Sequence, residues 1–158
     1  MGKKTGNNPT DRGKRGVKRS LLCEGKGLPI GLAVDGANRH DMKMTAATLE
    51  SIPIHRPAPR PYHRQHLCLD KGYDYDEVRE IVEAFGYTAQ IRSRGDEAKA
   101  LRQDPRKKAR RWVAERTHSW LNRFRRILIR WEKKTVNYVG LLHFVFGLIV
   151  FRSITTQI

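Results

Sequence analysis

Two carboxylates, Asp70 and Glu115, have the type and setting to do chemistry. Asp70 closes the short apolar run His66-Leu-Cys-Leu and is followed at once by Lys71-Gly72. It therefore falls at the carboxyl end of a strand, where α/β folds gather ligand and catalytic groups. Glu115 lies in a basic helical segment. At 100° per residue, Val113, Trp120, Phe124, Leu128 and Trp131 share one apolar stripe, while Glu115 stands on the other side with Arg111, His118, Asn122 and Arg126. Two such oxygen ligands suit Mg²⁺ or Mn²⁺, and cations around them would draw a phosphate backbone to the same place. In-line displacement at phosphorus uses two metals about 4 Å apart and normally a third carboxylate. Plainer roles compete: a solvated i to i+4 pair of Arg111 with Glu115, and a turn-initiating Asp70.

The elements that must position these groups follow from length and charge. The chain has 158 residues, 32 Lys plus Arg against 16 Asp plus Glu, net charge +16, and a hydrophobic fraction of 39%. That is enough apolar material for one domain with a core, and it excludes wholesale disorder. The basic excess points to nucleic acid ahead of an anionic membrane surface. Cys23 and Cys68 lack any metal or redox spacing and sit in apolar runs, so reduced core thiols are expected. No secretory signal is present in the polar, basic start of the chain. The apolar stretch Val139–Phe151 falls short of the ~20 residues of a membrane span and reads as a buried helix.

Residues 1–19 are rich in Gly, Asn and basic side chains and read as a flexible basic arm; residues 20–152 form the domain and 153–158 a tail. Ser20–Glu24 and Leu28–Val34, joined by Gly25-Lys-Gly27, predict a β-hairpin in which Pro29 opens the second strand. Asp41 is expected to N-cap a helix over Met42–Ser51, and the spaced prolines of 53–61 predict a surface loop. His66–Asp70, Asp74–Phe85 and Tyr87–Ile91 read as strand, helix, strand, a parallel βαβ unit. A long basic helix is predicted from about Arg106 to Lys133, and an apolar helix closes the chain.

Four segments in this order, Thr10-Asp-Arg-Gly-Lys-Arg-Gly16, Gly36-Ala-Asn-Arg-His-Asp41, Leu69-Asp-Lys-Gly-Tyr73 and Arg111–Arg116 with Trp120–Arg126, carry a resemblance. From about Asn8 to Arg152 the chain resembles the C-terminal part of insertion-sequence DDE transposases of the IS-four and IS-five type. The resemblance implies an α/β, RNase H-like domain with mixed sheet and flanking helices. It also implies a DNA partner, both transposon terminal repeats and target, cut and joined with Mg²⁺ or Mn²⁺. Asp70 matches the second aspartate of the triad, Glu115 its glutamate, and Arg111 the arginine of the Tyr-Arg-Glu-Lys signature. Lys108 stands in place of that tyrosine and Asn122 in place of that lysine, with Arg125 or Arg126 as substitute cations.

The first aspartate of the family lies on a strand upstream of the Thr-Asp-Arg-Gly segment, and Asp11 is not that residue. The resemblance thus predicts a C-terminal fragment, truncated or completed by an upstream transposase segment through frameshifting, with the first strand of the sheet missing. Alone it should be inactive, and in the DNA complex a dimer. It implies a cytoplasmic, nucleoid-associated protein with no membrane partner. A basic nucleic-acid-binding protein without metal chemistry is the alternative. Trp112 is a candidate to stack on unpaired bases, Trp120 and Trp131 are expected in the core, and His40 reads as a loop residue ahead of a role behind a metal.

Overall fold

A long antiparallel hairpin organises the first half of the chain. β1 (Gly6–Asn7), β2 (Arg15–Cys23) and β3 (Pro29–Gly36) form a sheet in that order. β2 and β3 pair from Val17 opposite Gly36 to Leu21 opposite Leu32, with a register shift at Leu22/Cys23. The computed structural model describes residues 4–91, 99, 102–103 and 111–155. Residues 4–19, expected as an arm, differ from that reading: β1 pairs with Arg15 and Gly16, and the basic run Arg15–Arg19 is the first half of β2. Val17 packs against the core while its basic neighbours carry the charge that masked the strand in the sequence.

After β3 a 3₁₀ turn (Asp41–Met44) leads into α1 (Thr45–Glu50). His40, rather than Asp41, takes the N-cap position, with no side-chain cap; Asp41 instead pairs with Lys18 at 3.2 Å. β4 (His66–Leu69) and β5 (Thr88–Ile91) form a second, parallel pair joined by α2 (Asp76–Ala84), as the βαβ pattern predicts. The proline-rich segment between α1 and β4 carries no helix and only the isolated bridge Arg60–His63.

The long basic helix ends sooner than predicted, and its expected start at 106–110 lies outside the described residues. α3 runs Arg111–Asn122, a turn at Arg123–Phe124 follows, α4 covers only Arg125–Leu128, and α5 spans Thr135–Thr155. The break moves the buried stripe from Leu128 and Trp131, which are exposed, to Val113, Thr117, Leu121 and Ile127. α5 is 21 residues, longer than the apolar run, and long and apolar enough by length and composition to cross a membrane. It buries Tyr138, Leu142, Val145, Phe146 and Ile149 but exposes Phe144 and Phe151, so it is buried on one face only.

Two hydrophobic clusters result. One joins Leu32 and Val34 of β3 to Leu121, Ile127 and the inner face of α5. The other is smaller: Leu49, Leu67, Val78 and Val82, with Leu22 of β2 packed against it. β2 separates them by its pleat. Val17 and Leu21 face α5's cluster, Arg19 reaches Asn122 and Cys23 meets Thr117 of α3, whereas Lys18, Ser20 and Leu22 face Asp41, Thr48 and the second cluster. Cys23 is half-buried and Cys68 exposed; both are free thiols, so only the first fits the core expectation.

Candidate functional site

Asp70 sits where the sequence placed it, at the end of β4. Its Oδ1 accepts from the Gly72 backbone N–H at 2.8 Å, capping the 3₁₀ turn Lys71–Tyr73. Lys71 turns away to pair with Asp74, which also binds Arg79. Those two cations hold the Asp74 carboxyl below the usual range, and they leave Asp70 exposed with no ion-pair partner among the described residues.

Tyr73, one turn on, ties this loop to β2. Its ring packs in the smaller cluster and its hydroxyl hydrogen-bonds Ser20. Burial first, then the negative charges of Asp41 and Asp70, push its ionisation up to about 12. His40 meets Tyr75 edge to face at 5.8 Å, and Lys43 pairs with Glu77 at 3.1 Å. The loop after β3 and the loop after β4 therefore come together around Asp70. Sequence reasoning missed this pairing; the only signal was that each polar loop follows a strand bound for the core.

Glu115 is exposed on α3 and has no hydrogen bond or ion pair among the described residues. α3 lies on the β2 face opposite Ser20. Thr117 is buried there, its hydroxyl donating to the Gly27 carbonyl at 2.7 Å. Gly27 has φ +91°, and a Cβ on it would stand 2.9 Å from Arg116, so only glycine lets the hairpin turn lie on α3. No hydrogen bond or ion pair joins Asp70 to Glu115, and no group of three or more His, Cys, Asp or Glu side chains gathers among the described residues.

The cations differ in their freedom. Lys108 and the Arg111 side chain lie outside the described residues. Arg126, itself 68% exposed, is paired at 2.9 Å with Glu132, whose side chain is only 7% exposed, so it neutralises a buried carboxylate. Asn122 accepts from Arg19 at 2.9 Å. Arg125 is exposed and unpaired among the described residues.

Trp112 is 42% exposed, and the Arg116 guanidinium lies 4.7 Å from its ring centroid and 4.9 Å from that of Trp120. This Trp112–Arg116–Trp120 ladder, spaced i, i+4, i+8, was legible in the helical spacing but went unread. Trp120 is half-buried against the larger cluster, as expected. Trp131 is 68% exposed because the chain has already left the helix.

Comparisons with known proteins agree with the motifs. Residues 1–146 match the family described as Transposase DDE domain. The chain is 34% identical over 137 residues to a Burkholderia cepacia protein named as a transposase for insertion sequence element IS402. That match takes in 83% of this chain and 61% of the relative, so the chain spans about three-fifths of the relative's length. No solved structure matches. With nearly the whole chain under the family profile and the Asp70 and Glu115 motifs in their expected order, it belongs to the DDE transposases of insertion sequences.

Proposed function

We propose that this chain contributes the second and third carboxylates, Asp70 and Glu115, of a DDE centre that cleaves transposon ends and joins them to target DNA, and that the first carboxylate arrives on a strand from outside these 158 residues. One observation carries the reading: the sheet is in two pieces with open edges. β2 bonds β3 on one side, while on the other only Arg15 and Gly16 are paired; β4 bonds β5 alone. Among the described residues Val17–Cys23 and His66–Leu69 have no further backbone partner. An open edge in a half-buried strand leaves N–H and C=O groups that a further strand satisfies. Leu22 of β2 and Leu67 and Leu69 of β4 share one cluster, so a strand seated between these edges would complete an RNase H-like mixed sheet and bring its side chains beside Asp70.

The donor set present suits a divalent ion in kind, since both groups are hard oxygen ligands with no ion pair among the described residues, but not in number. As described, the residues do not assemble a site for Mg²⁺ or Mn²⁺, and no catalytic step is assigned to the chain alone. Its own residues support binding of DNA. Arg125 is a free cation for phosphate, the open face of Trp112 is a stacking surface, and Asn122, Arg111 and Lys108 take the remaining contacts. In this reading the protein works in the cytoplasm on nucleoid DNA, as a dimer in the complex with transposon ends.

The test is nicking of supercoiled plasmid with Mg²⁺ or Mn²⁺ by the purified chain. The expected result is salt-sensitive DNA binding with no nicking. Nicking should appear when the part of the relative outside the match is supplied in trans, and should be lost with Asp70→Asn. Robust nicking by the chain alone that Asp70→Ala abolishes defeats the missing-carboxylate proposal. A second reading, a basic DNA-binding protein without metal chemistry, rests on the net charge of +16. It wins if DNA binding ignores metal and Asp70 and no complement restores cleavage.

A further inference from the structure

The outer face of α5 is rich in exposed apolar residues, interspersed with Asn137, His143 and Thr155 and with one charge, Arg152, in the last turn. Val136 is 74% exposed, Phe144 66%, Phe151 64% and Ile154 58%. Gly140 and Gly147 lie between them with nothing within 4 Å of where a Cβ would stand. The series Gly140, Phe144, Gly147, Phe151, Ile154 steps by four and three residues in turn, the spacing of a two-helix seam. Beside it runs a groove of ≈ 420 Å³ walled by Pro29, Ile30, Pro53, Phe146, Phe151 and Ile154.

We propose that this face is a self-association surface, on which α5 of a second copy of the chain packs antiparallel. The pattern is complementary to itself. With the two-fold between residues 145 and 146, Phe144 of one copy falls opposite Gly147 of the other, and Phe151 opposite Gly140. Each large ring meets a residue without a side chain, at both pairs and in both copies, which is what an isologous contact requires. Charge singles out the same face. Two copies each carry +16 and repel, yet no Lys, Arg, Asp or Glu occurs from Thr135 to Phe151.

Area fits as well. Full burial of a Phe covers about 150–250 Å², so two rings this exposed, with Val136, Ile154 and the groove wall, give on the order of 500 Å² per copy. Two copies reach about 1,000 Å², the lower bound of a specific interface. The inference rests on α5 alone, so it supplies a surface for the dimer proposed above and stands or falls apart from the chemistry at Asp70.

Nuclease-treated protein in sedimentation velocity decides it. A reversible dimer in the micromolar range is expected, tightening as salt rises because salt screens the +16 repulsion, whereas association bridged by residual DNA weakens with salt. Phe144→Arg should raise the dissociation constant at least about tenfold, or 1.4 kcal/mol, with an unchanged circular dichroism spectrum, since the ring it removes is exposed. Gly147→Phe should do the same by setting ring against ring. Phe144→Gly combined with Gly147→Phe exchanges knob and hole and should restore the dimer. A monomer up to about 100 µM, a dimer indifferent to Phe144→Arg, no recovery in the exchanged variant, or flotation with phosphatidylglycerol vesicles in place of self-association would each overturn the proposal.

Discussion

The two hydrophobic clusters are built to different standards. The larger is closed: β3, α3, α4 and α5 contribute nine buried residues, and Tyr138 ends in a hydrogen bond from its hydroxyl to the Ile127 carbonyl at 3.1 Å. The smaller has four buried residues, is ringed by half-buried ones, and belongs to a two-stranded sheet with an open edge. Asp70, Tyr73 and the loop carrying His40 and Asp41 all lie on the smaller side. Asp70, one of the two proposed carboxylates, is thus held where packing is thinnest, while the closed side holds α3 and the other, Glu115. On the proposal above, a part-sheet that accepts another strand cannot also be sealed, which would account for the difference in density.

Core truncation tests this contrast most strongly. Leu121, fully buried in the larger cluster, has neighbours on all sides. Leu121→Ala should cost about 3–5 kcal/mol, and Leu67→Ala beside the open edge nearer ~2, because that site can collapse. Denaturant titration of both variants measures it, and equal losses would mean the smaller cluster is as closed as the larger. Amide exchange should agree, with β4 and β5 exchanging faster than β2 and β3.

Smaller effects separate the two sides by their polar ties. Thr117 is buried, and its hydroxyl serves the Gly27 carbonyl across α3. Thr117→Val leaves that carbonyl buried without its donor and should lose about 1–3 kcal/mol of global stability. Tyr73→Phe removes only the hydroxyl that joins the Asp70 loop to Ser20. It should cost about 1 kcal/mol, and the loss should appear in the exchange of β4 and β5 while β2 and β3 stay protected. Loss of protection in both sheets would show that Tyr73 holds the whole molecule and not its open half.

What the sequence disclosed follows the same division. Two apolar runs and a glycine-rich joint were enough for the second half of β2 and for β3, and strand, helix, strand for β4, α2 and β5, because each of those signals is local. The end of α3 was hidden. The apolar stripe continued to Trp131 on a helical wheel, but no wheel records that Phe124 leaves helical geometry or that Glu132 draws Arg126 into an ion pair. The residues 4–19 misled through composition, since the basic residues around Val17 masked the strand they belong to. For the site, Asp70 was placed by its strand end, whereas the meeting of its loop with Asp41 and His40 depends on a contact between segments about thirty residues apart, which no spacing rule reaches.

The mildest test lies on the closed side, at His118. It is half-buried on α3, and burial first, then the charge of Arg19, lowers its pKa from the ordinary value. Folding therefore favours neutral imidazole. In the unfolded chain the ring titrates near its usual ~6.5, so between the folded and unfolded values the unfolded state binds more protons and stability rises with pH. The contribution is complete above the unfolded pKa, is lost as pH falls from there, and levels off below the folded pKa. Melting temperatures from pH 7.5 to 5 should decline for the native protein and more gently for His118→Gln. Because His118 sits on α3 against the larger cluster's side of β2, exchange of β4 and β5 should follow this decline only through global unfolding. A fall confined to β4 and β5, unchanged by His118→Gln, would move the acid-sensitive point to the open side and reverse the assignment of which half limits stability at low pH.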